Sequence, residues 1–392
     1  MKRVWTGLVL LFTAMAGVAA FIPACAPRFG RLPDGERLDR IKQSPNYDCE
    51  TGQFKNLEPT TMLTDAKKGN RFFTILKFLF GTMERPTPPS PLPMVKTDLK
   101  ALDPNLDLAV WLGHSSVYLQ LSGKRILIDP VFSSSAAPFA RFNRAFRGEY
   151  PYTADDMPDI DILLISHDHW DHLDYPTLLA LKPRIKDIIC PLGVGSHLEY
   201  WGFTNFFEGD WVHTICLYPN LDFTVTLLPA RHFSGRWLSR NKTLWASFML
   251  ETSTRRVFYS GDGGYGKHFA EIGKQGGGSG DLDLAIMENG QYNTRWRHSH
   301  LLPEETAQAA VELKAKAVLP VHSGRFSLSD HPWDDPYVKL SATSGDKPFR
   351  LLTPRIGEVV YLDGREQQFG PWWESVGDAK PEKREQDSPK ME

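Results

Sequence analysis

The feature that most constrains this chain is the segment Ile165–His172, which reads Ile-Ser-His-Asp-His-Trp-Asp-His and follows an apolar run, 162–165. An apolar run of this length is typical of a buried strand, so the polar cluster lies at the carboxyl end of that strand. His167 and His169 are two positions apart, so on extended backbone they point to the same side and can bind one metal ion. The alternative is a solvated histidine-rich turn. We favour the metal site, because placing so many imidazoles and carboxylates beside a core is costly unless something pairs them.

The second half of this motif points to a second metal ion. Asp171 and His172 follow the strand where the chain must turn, and Asp174 with Pro176 then indicates the start of a helix. The change of direction between strand and helix lets this pair face a different ion from the first two histidines.

Three further apolar runs end in a residue type that binds metals. The residues are His232, Asp262 and His322, at the ends of runs 225–232, 256–263 and 317–322. A single histidine after a strand is more often structural than functional. Four repetitions of a buried strand followed by a ligand-type residue share one explanation, which is a sheet whose strand ends converge on one cleft. Open α/β sheets bind their ligands at the carboxyl ends of strands in this way.

The order of these segments resembles the metallo-β-lactamase-fold hydrolases, and more closely the N-acylphosphatidylethanolamine-hydrolysing phospholipase D family and its bacterial relatives. The segments span roughly residues 105–362: Val110–Ser116, Ile126–Ser133, the HxHxDH motif, Leu228–His232, Leu244–Ser247, Ser260–Tyr265 and Pro303–Thr306. Strands alternating with helical patterns favour an α/β architecture. The resemblance implies in addition a four-layer αββα sandwich. The stretch Glu288–Trp296 is more polar than its counterpart in the family, which leaves the substrate open.

The resemblance implies two zinc ions per chain, bound by seven side chains. One ion would be held by His167, His169 and His232, and the other by Asp171, His172 and His322, with Asp262 between the two. Zinc suits imidazole and carboxylate donors and does no redox chemistry. Two ions at such a site activate water for attack on a phosphorus or a carbonyl carbon. Asp171 could also orient the attacking water.

Three more residues each have two interpretations. His114 lies in a predicted hairpin turn between the runs 106–112 and 117–121, and either sits near the metals, as the resemblance implies, or closes the turn by hydrogen bonding. Asp129 is either an acceptor for a metal-binding histidine or an Asp-Pro turn residue. His300 precedes a predicted helix start and matches a family histidine at the cleft; otherwise it is a surface histidine. Asp171, His300 and His114 are our candidates for catalytic residues.

Two classes of function remain open. The first is a zinc-dependent hydrolase, which the resemblance implies is a phosphodiesterase of phospholipase D type acting on N-acyl phospholipids at a membrane surface. The same metal site would also serve a lactonase or an esterase with another small ester as substrate. The second class is a non-catalytic envelope protein that binds lipid; a complete ligand set argues against it unless metal drives its folding.

Phe233 and Trp237 form either an apolar wall of the cleft or part of the core. A net charge of −2 over 392 residues gives no support for nucleic-acid binding.

The N-terminus predicts export. Met1–Arg3 is basic and Val4–Ala20 is apolar without a charge, which is typical of a secretory signal peptide. The apolar stretch continues to Ala24, so a membrane anchor is the alternative. Ile22–Cys25 resembles a bacterial lipobox, in which the cysteine is lipidated. We therefore expect a periplasmic or membrane-anchored protein of the cell envelope.

Four parts follow along the chain. We expect a leader at residues 1–26, an extension with a proline-rich linker at 27–104, the catalytic domain at 105–365, and a charged, disordered tail at 366–392. Within the extension, 71–80 either lies on the membrane surface or packs on the core. The glycine-rich segment 276–280 is expected to be a flexible loop. Beyond Cys25, three cysteines form no closed disulfide framework, although one pair among them is allowed, and Cys190 is expected to be buried.

Overall fold

A computed structural model describes residues 26–61, 85–218, 222–236, 238–275 and 282–377 of this protein. Several expectations fall outside these residues: the leader, the segment 71–80, Trp237, the glycine-rich loop 276–280 and the tail from Asp378 onward. None of the described helices combines the length and the apolarity needed to cross a bilayer.

A short hairpin and one seven-stranded sheet come first along the chain. The hairpin pairs β1 (Tyr47–Asp48) with β2 (Gln53–Phe54). The first sheet contains β3 (Leu108–Trp111), β4 (Val117–Leu121), β5 (Lys124–Ile128), β6 (Ile160–Leu164), β7 (Ile185–Pro191), β8 (Phe206–Gly209) and, from the far end of the chain, β16 (Val359–Tyr361). Across the sheet the order is β16-β3-β4-β5-β6-β7-β8. Pairing is antiparallel from β16 to β5 and parallel from β5 to β8.

The second sheet also has seven strands. They are β9 (Thr214–Tyr218), β10 (Phe223–Leu228), β11 (Ser247–Glu251), β12 (Arg256–Tyr259), β13 (Leu284–Glu288), β14 (Ala317–Val321) and β15 (Arg350–Leu351). The order across the sheet is β15-β14-β13-β12-β11-β10-β9. The strands from β12 to β15 are parallel, so their carboxyl ends lie at one edge of the sheet.

Helices cover the outer face of each sheet. The α-helices are α1 (Gly35–Ile41), α2 (Tyr175–Leu181), α3 (Gly195–Tyr200), α4 (His268–Gln275), α5 (Pro303–Glu312) and α6 (Asp335–Ser344). Short 3-10 turns occur at Ala26–Phe29, Ala154–Asp156, Lys182–Arg184, Thr294–Trp296 and Trp372–Ser375. Apolar side chains of α2 and α3 share a buried cluster with the outer face of the first sheet, and those of α4, α5 and α6 do so with the second.

The main core lies between the two sheets. In β4, Val117, Leu119 and Leu121 point into the cluster between the sheets, whereas Tyr118 points into the outer cluster under the helices. Strands buried on both faces carry apolar residues at every position, which is why they appear as continuous apolar runs in the sequence. The order of layers is helix, sheet, sheet, helix, so the expected α/β fold with four αββα layers is confirmed.

The segments flanking the sandwich contribute to its core. Ile41, Phe54 and Leu92 from the N-terminal extension belong to the cluster between the sheets. Trp372 and Trp373 are buried, and their rings lie 4.8 and 5.3 Å from that of Tyr337. The prediction of a disordered tail beginning at residue 366 was therefore wrong for the residues up to 377, because two indole rings bury a large apolar surface there.

The cysteines of the described chain are free thiols. Cys49 and Cys216 are exposed, and Cys190 is buried, as expected from its apolar neighbours. The disulfide that the sequence allowed among these three residues is not formed.

Candidate metal centre

The predicted metal-binding residues lie just after the carboxyl ends of strands from both sheets. β6 of the first sheet ends three residues before His167, and β14 of the second ends one residue before His322. β10 and β12, also of the second sheet, lead to His232 and Asp262. Strand ends therefore do converge on one cleft, and they come from both β layers of the sandwich that the resemblance implied. The two sheets pack face to face, so their ends meet along a common edge.

Three histidines form the first group of candidate ligands. The Nε2 atom of His167 lies 2.9 Å from Nδ1 of His169, and Nε2 of His232 lies 3.2 Å from the same Nδ1 atom. Nitrogens bound tetrahedrally at about 2.0–2.1 Å from a zinc ion lie roughly 3.3 Å apart. The three nitrogens thus have the spacing of donors to one ion, which is the first set that the sequence indicated.

The second group contains Asp171, His172 and His322, together with His114. Nε2 of His114 lies 2.9 Å from Oδ2 of Asp171, and Nε2 of His172 lies 3.5 Å from the same oxygen. His114 lies in the turn between β3 and β4 and is fully buried beside the cluster, while the turn itself is closed by a hydrogen bond from the Ser116 N–H to the Gly113 carbonyl oxygen. His114 and His322 have φ angles of 51° and 67°, a backbone region that costs energy for residues with a Cβ and recurs at functional sites.

Asp262 joins the two groups. Its Oδ2 atom lies 3.1 Å from Nε2 of His172, 3.8 Å from Nε2 of His232 and 4.0 Å from Nε2 of His167. Its Oδ1 atom lies 3.2 Å from Nδ1 of His322. The residue before it must be glycine, because Gly261 has a φ of 57° and a Cβ there would lie 2.7 Å from the Ala246 carbonyl oxygen.

Asp129 contacts His172 at Nδ1, the ring nitrogen that faces away from the centre. Its Oδ2 atom lies 2.8 Å from Nδ1 of His172 and accepts a hydrogen bond of 2.7 Å from the Tyr259 hydroxyl. Its Oδ1 atom accepts the Ser166 backbone N–H at 2.8 Å. The residue thus makes the acceptor contact that was one of its two sequence interpretations. Such a contact holds the Nδ1 proton of His172 toward Asp129 and directs Nε2 at the centre, where a metal ion would take the place of the second proton.

Three other histidines are oriented in the same manner through their Nδ1 atoms. His167 contacts the Ser166 hydroxyl at 2.9 Å, and His322 contacts the Ser115 hydroxyl at 2.8 Å. His232 donates to the Ser299 carbonyl oxygen at 2.8 Å. In each case the contact at Nδ1 fixes the orientation of the ring, and the Nε2 atom on its opposite side faces the cluster.

Glu288 is a site residue that sequence reasoning missed. It is fully buried at the end of β13, where Oε2 accepts the Gly263 N–H at 2.6 Å and Oε1 is hydrogen-bonded to Nδ1 of His300. The His300 ring stacks on His322 at 5.4 Å and lies 5.1 Å from His232. Glu288 directly follows the apolar run 284–287. The pattern that identified the other residues, a ligand-type residue after an apolar run, was therefore present here as well.

The electrostatics of the cluster favour a bound cation. Burial holds the pKa of His167, His232 and His322 well below the ordinary value, so these imidazoles are neutral and able to bind metal. Burial, together with the nearby Glu288 carboxyl, raises the pKa of Asp262 to about 7. A positive ion among these groups would restore the charged carboxylate.

Several buried polar atoms at the centre have no hydrogen-bond partner in the described part of the chain. They are Nε2 of His172, Nε2 of His322 and Oδ1 of Asp262. Buried polar atoms are normally paired, so three unpaired ones at a single point indicate a missing partner. Imidazole nitrogens and carboxylate oxygens suit zinc and related divalent ions, and the residues present therefore fit a metal centre.

Phe233 lies at the open side of the site. Its ring is 4.6 Å from both the His232 and the His169 rings, and the Arg240 guanidinium lies 4.5 Å above it. His169 and His300 are also partly exposed, so this side is where a substrate would enter. Phe233 has the position expected of an apolar wall.

Comparisons with known proteins agree with this description. A family model described as a beta-lactamase superfamily domain matches residues 124–323. An uncharacterized protein of Mycobacterium tuberculosis is 35% identical over 338 residues, which are 85% of this chain and 88% of that protein. The mitochondrial N-acyl-phosphatidylethanolamine-hydrolyzing phospholipase D of Saccharomyces cerevisiae is 33% identical over 261 residues, covering 64% of this chain and 55% of that protein.

A solved structure shares the fold. The isothiocyanate hydrolase from gut bacteria of Delia radicum superposes with a TM-score of 0.50 at 17% identity, covering 64% of this chain and 98% of that one. The family match spans β5 to β14 and ends just after His322, so it includes the seven metal-binding residues that the resemblance implied, whereas His114 lies before it. The chain belongs to the beta-lactamase superfamily and has the metallo-β-lactamase fold of its metal-dependent hydrolases.

Proposed function

We propose that this protein is a dinuclear zinc hydrolase, specifically a phosphodiesterase of phospholipase D type that acts on N-acyl phospholipids. The observation that carries the proposal is the position of Asp262, whose Oδ2 atom faces both groups: it lies 3.1 Å from Nε2 of His172 in the second group and 3.8 Å from Nε2 of His232 in the first. This is the arrangement needed for two ions held side by side. The yeast relative, whose name states hydrolysis of N-acyl-phosphatidylethanolamine, supports the substrate class.

The residues of the site have distinct roles in the proposed hydrolysis. Zinc ions bound by the two groups supply Lewis acidity and lower the pKa of bound water. His114 donates to Asp171 at 2.9 Å and so fixes the carboxylate that faces the attacking water. The segment after β6 is largely buried at the common edge of the two sheets, where Ser166 contacts His167 and Asp129 contacts His172.

His300 is positioned to handle the proton of the leaving group. Its Nδ1 atom is engaged by Glu288, and its ring lies 5.1 and 5.4 Å from those of His232 and His322, so Nε2 is the nitrogen that remains for a substrate. An imidazole whose far nitrogen is held by a carboxylate is a good general acid, because the carboxylate stabilises the protonated ring. We assign the departing alkoxide of the phosphodiester to this side of the site.

The same centre can attack a carbonyl carbon, so a lactonase or esterase is the alternative within the hydrolase class. A non-catalytic lipid-binding protein is the alternative outside it. The stretch Glu288–Trp296, which is more polar than its counterpart in the family, begins at the Glu288 carboxylate that contacts His300 and is where substrate choice would differ.

We further propose that the protein is exported and acts in the cell envelope at a membrane surface. The support is the charge and apolar pattern of residues 1–24. Fractionation of cells expressing the full chain tests this, since recovery in the cytosolic fraction would contradict it.

The decisive experiment combines metal analysis with a substrate panel on one preparation. We expect about two zinc ions per chain and release of phosphatidic acid from N-acyl-phosphatidylethanolamine. Two zinc ions with turnover of lactones or carboxylic esters alone would move the assignment to the carbonyl alternative. A preparation that neither binds metal nor hydrolyses any substrate would refute the enzyme and favour the lipid-binding protein.

A further inference from the structure

A cavity of about 610 Å³ lies beside the metal centre and is separate from it. Its wall includes Gly324 and Arg325, which follow His322 by two and three residues, but it includes none of the candidate metal-binding residues. Phe326 stands on the side of the centre, with its ring 5.2 Å from that of His114. A volume of this size accommodates a small-molecule ligand, for which about 300–1,000 Å³ is usual.

One wall of the cavity carries a buried arginine with unused donors. Arg325 is only 4% exposed, and Nη2 donates to the carbonyl oxygens of Phe132 and Ser133 at 3.1 and 2.9 Å. Its guanidinium lies 3.3 Å above the Tyr150 ring. Nε and Nη1 have no partner among the described residues. No carboxylate of the described residues forms an ion pair with this guanidinium, and a buried charge with unpaired donors favours the binding of an anion.

Two further arginines reach the same cavity. Arg144 and Arg147 line it, are exposed, and make no side-chain hydrogen bond or ion pair with the described residues. No aspartate or glutamate is among the described lining residues. Asp174, the acidic residue whose charge acts on Arg325, is already engaged by Ser133 and by Thr177. Three arginines and no carboxylate therefore line the described wall, and this excess of positive charge attracts anions.

The rest of the wall is apolar and aromatic. Met94, Phe132, Phe146 and Tyr150 contribute side chains to it. Arginine forks match the oxygens of phosphate groups, and the aromatic rings match an apolar chain. We propose that this cavity is a binding site for an anionic amphiphile, whose phosphate group contacts the three arginines and whose apolar part packs on the aromatic wall. The inference rests on this cavity alone and does not depend on the hydrolysis proposed above.

The test is calorimetric titration of the full metal-loaded chain with dodecyl phosphate, inorganic phosphate and uncharged dodecyl maltoside, all below their micellar concentrations. The loop variant carries both Arg144→Ser and Arg147→Ser. Its matched control is Arg141→Ser, because Arg141 is an exposed arginine of the same segment that does not line the cavity. We expect dodecyl phosphate to bind at least about tenfold more tightly than either of the other probes.

The loop variant should raise the Kd for dodecyl phosphate about tenfold, and the control should leave it unchanged. Arg325→Met, which removes the buried charge at similar length, should raise it at least as much. Binding of the phosphate group at the metal centre would contribute equally to the heat measured for the loop variant and for its control. This contribution therefore cancels when their Kd values are compared. Equal affinity for the loop variant and the wild type overturns the proposal. Equal binding of dodecyl maltoside, or an equal loss in the Arg141 control, also overturns it.

Discussion

Asp129 offers the sharpest test of how the centre is built. Its carboxylate accepts from the Ser166 N–H, from the Tyr259 hydroxyl and from Nδ1 of His172, at 2.7–2.8 Å each. In Asp129→Asn, one amide oxygen can still accept from the Ser166 N–H, but an NH2 group then faces His172 and Tyr259. An NH2 group donates to Nδ1, which moves the ring proton of His172 to Nε2. A protonated Nε2 atom cannot bind a metal ion.

The expected loss follows from that tautomer change. Replacing a carboxylate that orients a metal-binding histidine typically lowers metal affinity about 10–100-fold, equivalent to about 1.4–2.8 kcal/mol. The assay is competition for zinc against a chromophoric chelator, with both binding steps resolved. The affinity of the zinc-binding step that uses His172 should fall by this factor. The affinity of the step that uses His167, His169 and His232 should change less, because those rings do not contact Asp129.

The matched control is Asp161→Asn. Asp161 lies on β6 and accepts the Arg125 N–H at 3.0 Å, so it tests the loss of a carboxylate in the same sheet but away from the site. The control should bind zinc as the wild type does. Wild-type zinc affinity in Asp129→Asn would refute the proposed orientation of His172, and so would an equal loss in the control.

Three further predictions concern the site and its surroundings. Asp262→Asn should lower hydrolysis at least about 100-fold and reduce bound zinc, while circular dichroism shows an intact fold; full activity would contradict the dinuclear centre. Glu288→Gln should leave the zinc content unchanged but lower kcat about tenfold or more and shift its pH profile, because His300 loses its carboxylate partner; an unchanged profile would remove Glu288 from the mechanism. Burial lowers the pKa of His268 to about 4, so between pH 6.5 and pH 4 the unfolded chain binds a proton at this residue that the folded chain does not. Urea unfolding at pH 7 and at pH 4.5 should therefore show the wild type losing about 2 kcal/mol more than His268→Gln, and equal losses would contradict the assignment.

The local sequence was sufficient to predict the strands and most of the candidate site. Strands buried on both faces must be apolar at every position, and a ligand-type residue directly after such a run is conspicuous against it. His167, His232 and His322 were identified for this reason, and the structure brings them together. The same rule applied to 284–287 would have included Glu288.

Partners that approach from distant parts of the chain could not be predicted from the sequence alone. The packing of β5, β6 and the turn after β3 decides two contacts. It places Asp129 beside His172 and brings His114 to the cluster. Each of these contacts joins residues more than 40 positions apart, so no local pattern encodes it.

The sequence by itself determined which residues could hold metal, because the residue type and the strand period act locally. The tertiary structure alone decided which strand ends of the two sheets meet at the site, since sheet-on-sheet packing is set by the burial of apolar faces across the whole fold. It alone also decided that Trp372 and Trp373 pack into the core and that Arg144, Arg147 and Arg325 surround one cavity. Burial and the grouping of charges are properties of the folded surface, and they exist only once distant segments have come together.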